Sequence, residues 1–204
     1  EAADNALIDM YHKCGKIDDA CQLFHRMHVK NVVTWNTMIS GYAKHGLLRN
    51  AFKLFEMMDC FPNRVTFVTI LKCCTTAMDL ERGKTIYHEI VWNEVAIDVS
   101  LGNSLIDLYV NCNKLEDAQL VFINLRCKDV VSWTMMIRSY GKNEYADKAN
   151  KLLREMELEG VQPNEVTFVA IINACSLVGN LELSLQIHSK LVSSGTEIDS
   201  LVAN

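Results

Sequence analysis

The strongest constraint on this chain is that it repeats itself. Asn5-Ala-Leu-Ile-Asp-Met-Tyr11 returns as Asn103-Ser-Leu-Ile-Asp-Leu-Tyr109, and Val32-Val-Thr-Trp-Asn-Thr-Met-Ile39 returns as Val130-Val-Ser-Trp-Thr-Met-Met-Ile137, both at an offset of 98. Pro62-Asn-Arg-Val-Thr-Phe-Val68 returns as Pro163-Asn-Glu-Val-Thr-Phe-Val169 at an offset of 101. A block of roughly a hundred residues, made of three dissimilar parts, therefore occurs twice. Cutting at equivalent places gives units 1–31, 32–63, 64–98, 99–129, 130–164 and 165–199, with residues 200–204 opening another.

Stacking the units exposes columns. The eighth place holds Ile8, Ile39, Leu71, Ile106, Ile137 and Ile172, and the eleventh Tyr11, Tyr42, Cys74, Tyr109, Tyr140 and Cys175. The twentieth holds small residues only: Ala20, Ala51, Gly83, Ala118, Ala149 and Ser184. Apolar places recur at helical spacing, as in Leu7, Ile8 and Tyr11, then Ala20, Leu23, Phe24 and Met27. Each unit thus reads as two amphipathic helices separated by breakers such as Cys14-Gly15-Lys16 and Val178-Gly179-Asn180. The small residue in each second helix allows the first helix to approach closely. One helix pair cannot bury its apolar faces alone, so neighbours must stack. The expected fold is all-α: a single right-handed superhelical solenoid of helix–turn–helix repeats spanning 1–204, with about twelve helices, first helices on the concave side and second helices on the convex side.

Composition supports a packed protein. Half of the 204 residues are apolar and Pro62 and Pro163 are the two prolines, which excludes disordered and collagen-like classes. No apolar run reaches the length of a membrane span. Eight cysteines without a C-x-x-C read as small buried hydrophobes in a reducing compartment. The six histidines form no pair at metal spacing, and neither metal nor cofactor is expected. A net charge of −5 weighs against nucleic acid as a partner. Part of that acidity has a structural cause, because Asp18, Asp19, Glu116, Asp117 and Glu182 open second helices, where the helix dipole favours them. The chain starts on Glu1 with no targeting segment, so it reads as a fragment or a processed form.

The stretches Val32-Val-Thr-Trp-Asn-Thr-Met-Ile-Ser-Gly-Tyr42, Asn5-Ala-Leu-Ile-Asp-Met-Tyr-His-Lys-Cys-Gly15 and Gly160-Val-Gln-Pro-Asn164 resemble plant pentatricopeptide repeat proteins, over essentially the whole chain. The alternation of unit lengths is similar to the subfamily whose repeats come as P, L and S triplets. Units 1–31 and 99–129 match the S type, 32–63 and 130–164 the P type, and 64–98 and 165–199 the L type. Unit 32–63 lacks three residues around Met58-Asp-Cys-Phe61, which predicts a shifted geometry at Asn63.

This resemblance implies sequence-specific binding of single-stranded RNA, about one base per repeat, each base read by the fifth and last residues of a unit. The implied readers are Asn5 with Asn31, Asn36 with Asn63, Asn103 with Asp129, and Thr134 with Asn164. Val68 with Asp98 and Val169 with Asp199 fall outside the usual code. The implied register is pyrimidine–pyrimidine–any–U–A–any. Short polar side chains at these places can meet the Watson–Crick edge of an unstacked base, although Asn and Asp are also favoured just before helices as caps. Second-place Val33, Val65, Val131 and Val166 would be apolar shelves for base stacking or, equally, helix-entry packing, with Ala2 and Ser100 weaker shelves. Thirteenth-place Lys13, Lys44 and Lys142 would face phosphate. Trp35, Trp133, Phe67 and Phe168 share the fourth place and read as core.

The family's editing enzymes carry a separate deaminase domain with His-x-Glu and Pro-Cys-x-x-Cys. Neither motif occurs here, so this segment is expected to be non-catalytic and to target an organellar transcript, in mitochondrion or chloroplast, for C-to-U editing or other processing. Small editing accessory proteins would dock on the L units, near Val68 and Val169. The competing reading is a protein-interaction scaffold that does not read RNA, since helical solenoids also bind peptides.

Overall fold

A computed structural model describes residues 2–143, 145–179 and 181–193, except the side chains at 182, 183, 192 and 193. Among these residues all regular structure is α-helical, in twelve helices. First helices are α1 (Ala2–Lys13), α3 (Val32–Lys44), α5 (Arg64–Ala77), α7 (Val99–Asn111), α9 (Val130–Lys142) and α11 (Glu165–Val178). Second helices are α2 (Ile17–Arg26), α4 (Leu48–Glu56), α6 (Leu80–Trp92), α8 (Leu115–Asn124), α10 (Ala146–Leu158) and α12 (Leu181–Ser193). The all-α, helix–turn–helix repeat fold expected from the columns is the fold observed. The expectations at Glu182, Asp199 and 200–204 lie outside the described residues.

Most second helices start differently from the first helices, although α6 is capped by Asp79. α3, α5, α7, α9 and α11 begin immediately after Asn31, Asn63, Asp98, Asp129 and Asn164, and each of these side chains accepts a backbone N–H of the first turn. α2, α4, α8 and α10 have no side-chain cap, and Asp18, Asp19, Glu116 and Asp117 lie in first turns as expected. Where every residue of the reversal between paired helices is described, one lies in the left-handed region. Gly15 (φ 71°) and Gly46 (φ 72°) supply it in the first two repeats, Met78 (φ 52°) in the third and Asn113 (φ 56°) in the fourth.

Two compact units are present, Glu1–Cys112 and Asn113–Asn204. In the first, α1, α3, α5 and α7 pack successively side by side, while α2, α4 and α6 each pack on their own first helix and on the next one. In the second, α9 packs on α11, α10 on both of them, α8 on α9 and α12 on α11. The eighth-place column forms the centre of this packing: Ile8, Ile39, Leu71, Ile106 and Ile137 are fully buried, and Ile172 is half-buried. The twentieth-place residues are buried in five repeats, with Ser184 half-buried. At Gly83 the crowding comes from an unexpected side. An added Cβ would lie 2.2 Å from Leu108 Cδ2, so the small residue admits the first helix of the following repeat rather than that of its own.

Fourth-place aromatics are core, as expected. Trp35, Phe67, Trp133 and Phe168 are all at most 5% exposed, with Trp35 edge-on to Phe24 and Trp133 edge-on to Phe122. The cysteines correct their expectation. All are free thiols, but only Cys73, Cys74 and Cys175 are buried; Cys14 and Cys127 lie exposed in interhelical turns, where no neighbouring helix covers them.

Candidate nucleic-acid interface

The interface is built at the amino ends of the first helices. Asn63 caps α5 through Oδ1, which accepts the Thr66 N–H at 3.1 Å. A backbone N–H can pair only with the amide oxygen, so the cap fixes which way the Asn63 amide faces. The same oxygen accepts from Asn36 Nδ2 at 3.1 Å, and Asn36 Oδ1 accepts the Thr66 hydroxyl proton at 2.7 Å. The Thr66 hydroxyl in turn accepts from the Asn63 N–H at 3.1 Å. Fifth-place Asn36, last-place Asn63 and third-place Thr66 of the next repeat therefore form one closed network. Its outward group is the Asn63 NH2, which has no partner among the described residues. The three-residue deletion does not displace it: α4 ends early, at Glu56, and the cap on α5 holds Asn63 in register.

The arrangement recurs in the second unit. Thr134 and Thr167 hydroxyls are 2.7 Å apart, Thr167 Oγ1 lies 2.9 Å from Asn164 Oδ1, and that oxygen also accepts the Thr167 N–H at 3.0 Å. Asn31 accepts from Val33 N–H and Thr34 N–H, and Asp129 from Ser132 N–H and hydroxyl. Asn5 Oδ1 is buried without a partner. Asn36 and Thr134 are 9% and 8% exposed, so the fifth-place side chains stand behind exposed last-place ones rather than beside them. Asn103 is half-buried on α7 and Asp129 is exposed.

The third-place hydroxyls Thr34, Thr66, Ser132 and Thr167 were missed in the sequence reading. Their signal was available: with the capping residue three places earlier they make the capping box observed at Asn63, Asp129 and Asn164.

Second-place Val33, Val65, Val131 and Val166 are 53%, 53%, 48% and 59% exposed. Each therefore leaves an exposed methyl face beside its cap. Ala2 and Ser100 are exposed too. Among the thirteenth-place lysines, Lys13 is held by Asp9 at 2.6 Å, one helical turn away, whereas Lys44 and Lys142 make no ion pair among the described residues. Lys44 lines an open cavity of about 300 Å³ between α3 and α5 together with Lys72, and Lys142 lines one of about 350 Å³ between α9 and α11 together with Arg138. Lys72 and Arg138 occupy the ninth place, a column the sequence reading passed over. Each cavity thus brings two exposed cations together one repeat apart or one turn apart.

No group of three or more His, Cys, Asp or Glu side chains able to hold a metal, and no helix long and apolar enough to cross a membrane, occurs among the described residues.

Stacked helix–turn–helix repeats with capped first helices define a helical-repeat protein. Family models place it further. The PPR repeat family matches residues 30–76 and 128–177, and the PPR repeat matches 5–32, 103–130 and 166–196. The chain belongs to the pentatricopeptide repeat family. It is 34% identical over 203 residues to pentatricopeptide repeat-containing protein At1g15510, chloroplastic, of Arabidopsis thaliana, covering 98% of this chain and 23% of the relative. It is 36% identical over 180 residues to At1g06140, mitochondrial, of the same plant, covering 87% and 32%. The chain thus spans only a quarter to a third of these relatives, whose names carry the two compartments expected from the sequence. Among solved structures it is similar to PPR10 in complex with an 18-nt psaJ RNA element, with a TM-score of 0.73 and 18% identity, over 95% of this chain and 34% of that one.

Proposed function

We propose that the chain binds single-stranded RNA in a register of about one base per repeat. The reader pairs are Asn5/Asn31, Asn36/Asn63, Asn103/Asp129 and Thr134/Asn164, and the observation that carries the reading is the Asn36–Asn63–Thr66 network with its outward amide. The cap consumes Oδ1 of the last-place residue, so what remains depends on residue type. An Asn offers N–H donors, suited to the ring acceptors of cytosine or adenine. An Asp offers its second oxygen, suited to the ring N–H of uracil or guanine. Val33, Val65, Val131 and Val166 give each base an apolar surface, and Lys44, Lys72, Arg138 and Lys142 face its phosphates. The likeness to an RNA-bound repeat protein supports the same reading. Repeats fall into P, L and S triplets along one solenoid, the site serves an organellar transcript through editing or other processing, and accessory proteins dock near Val68 and Val169.

The test is binding to an RNA of register pyrimidine–pyrimidine–N–U–A–N against one with the U and A exchanged. The exchange should weaken binding about tenfold or more, since each well-made base contact contributes about 1–3 kcal/mol of discrimination. Thr134→Asn with Asn164→Asp converts the fifth step to the pattern of the fourth and should favour U over A there. Equal affinity for both RNAs would sink the register, and no affinity for any RNA would leave the protein-scaffold reading.

A further inference from the structure

The third step of the array is built unlike its neighbours. Val68 holds the fifth place, and Leu101 stands where Thr66 and Thr167 stand, so the hydroxyl link is missing and of these three side chains Asp98 alone is polar. Asp98 Oδ1 accepts the Leu101 N–H at 3.0 Å as the cap of α7. Its Oδ2 is engaged by Nη1 of Arg64, the first residue of α5, in an ion pair that crosses from the start of one first helix to the start of the next. Both side chains face solvent, 58% and 36% exposed, beside the exposed Val65. The carboxylate oxygen that an Asp would offer to a base N–H is therefore covered by a guanidinium of the same repeat. In the second triplet the place of Arg64 is taken by Glu165, which cannot pair with a carboxylate.

We propose that Arg64 is a specificity-determining latch that silences base reading at the third step. This rests on the base-reading role argued above. With the latch closed, Val68 contributes only methyl groups and the Arg64 guanidinium stands over the Asp98 oxygen that the cap leaves open, so all four bases are accepted. With it open, Asp98 Oδ2 accepts the ring N–H of uracil or guanine. An exposed ion pair is a weak restraint, so the gain on opening it is about two- to fivefold in relative affinity.

Labelled RNAs carrying each of the four bases at the third step, with U and A fixed at the fourth and fifth, test this directly. Wild-type protein should bind the four alike. Arg64→Ala, at an exposed helix start, should favour U and G, and Arg64→Ala with Asp98→Asn should favour A and C instead, because an amide there presents donors. Circular dichroism checks that each variant keeps the wild-type helix content. If Arg64→Ala weakens all four RNAs equally, Arg64 is a phosphate contact and the latch is overturned. A third-step pattern identical to wild type overturns it as well. If no protein discriminates at the fourth and fifth bases either, base reading itself has failed and the latch fails with it.

Discussion

Met78 shows what single residues can and cannot announce. It lies in the left-handed region at φ 52°, where the first two repeats place Gly15 and Gly46. A side chain there costs about 1 kcal/mol or more, against a smaller entropic cost for glycine in the unfolded chain. Met78 is also 63% exposed, so little packing is lost by trimming it. Met78→Gly should raise the urea midpoint, adding about 0.5–1 kcal/mol at an unchanged denaturant slope. A lowered midpoint would show that the turn is not strained. At this scale the reader columns were legible, because Asn and Asp recur at fixed places. That Asn36 donates its Nδ2 to Asn63 and accepts the Thr66 hydroxyl at its Oδ1 was not, since those bonds join residues 27 and 30 apart in the chain.

Between elements, the contact of α1 with α3 carries a titratable group. His12 is 3% exposed, its Nε2 lies 3.5 Å from Met38 Sδ, and its ring occupies the space where a Cβ on Gly41 would lie 2.2 Å away. His45 Nε2 donates to the His12 carbonyl at 2.7 Å and stacks its ring on His12. Burial first, then the nearby His45 and Lys44, hold the His12 imidazole below its usual range, with Asp9 opposing them. The unfolded chain takes up this proton near the ordinary value of 6.5 while the folded one resists it. Stability is therefore complete above that pH and declines as pH falls below it. The thermal midpoint should drop between about pH 7 and pH 5.5, and His12→Phe should flatten that drop. A variant with the same acid slope would place the effect elsewhere. The repeat columns predicted that α1 meets α3 but not this histidine, because place twelve is not a repeating position.

For the whole molecule the question is how an acidic chain would hold a polyanion. The net charge of −5 is spread over helix starts and ion pairs, while Lys44, Lys72, Arg138 and Lys142 line two cavities along first helices. If these four meet phosphates, log affinity should fall against log salt with a slope of about −3, and each alanine substitution among them should remove about 0.7 of it. Lys13→Ala should change the slope less, since Asp9 already neutralises that lysine. Equal effects from Lys13 and Lys44 would contradict this assignment. The sequence by itself determined the repeat, the paired helices, the buried columns and the Asn and Asp places just before the first helices, because periodic burial and capping leave periodic residues. Only the tertiary structure decided which groups remain on offer at those places: the Asn63 amide turned outward by its cap, the exposed valine face, and the Asp98 carboxylate covered by Arg64. Asn36 meets Asn63 27 residues away, Arg64 meets Asp98 34 residues away, and the valines stay exposed because no neighbouring helix covers them; no spacing along the chain records that.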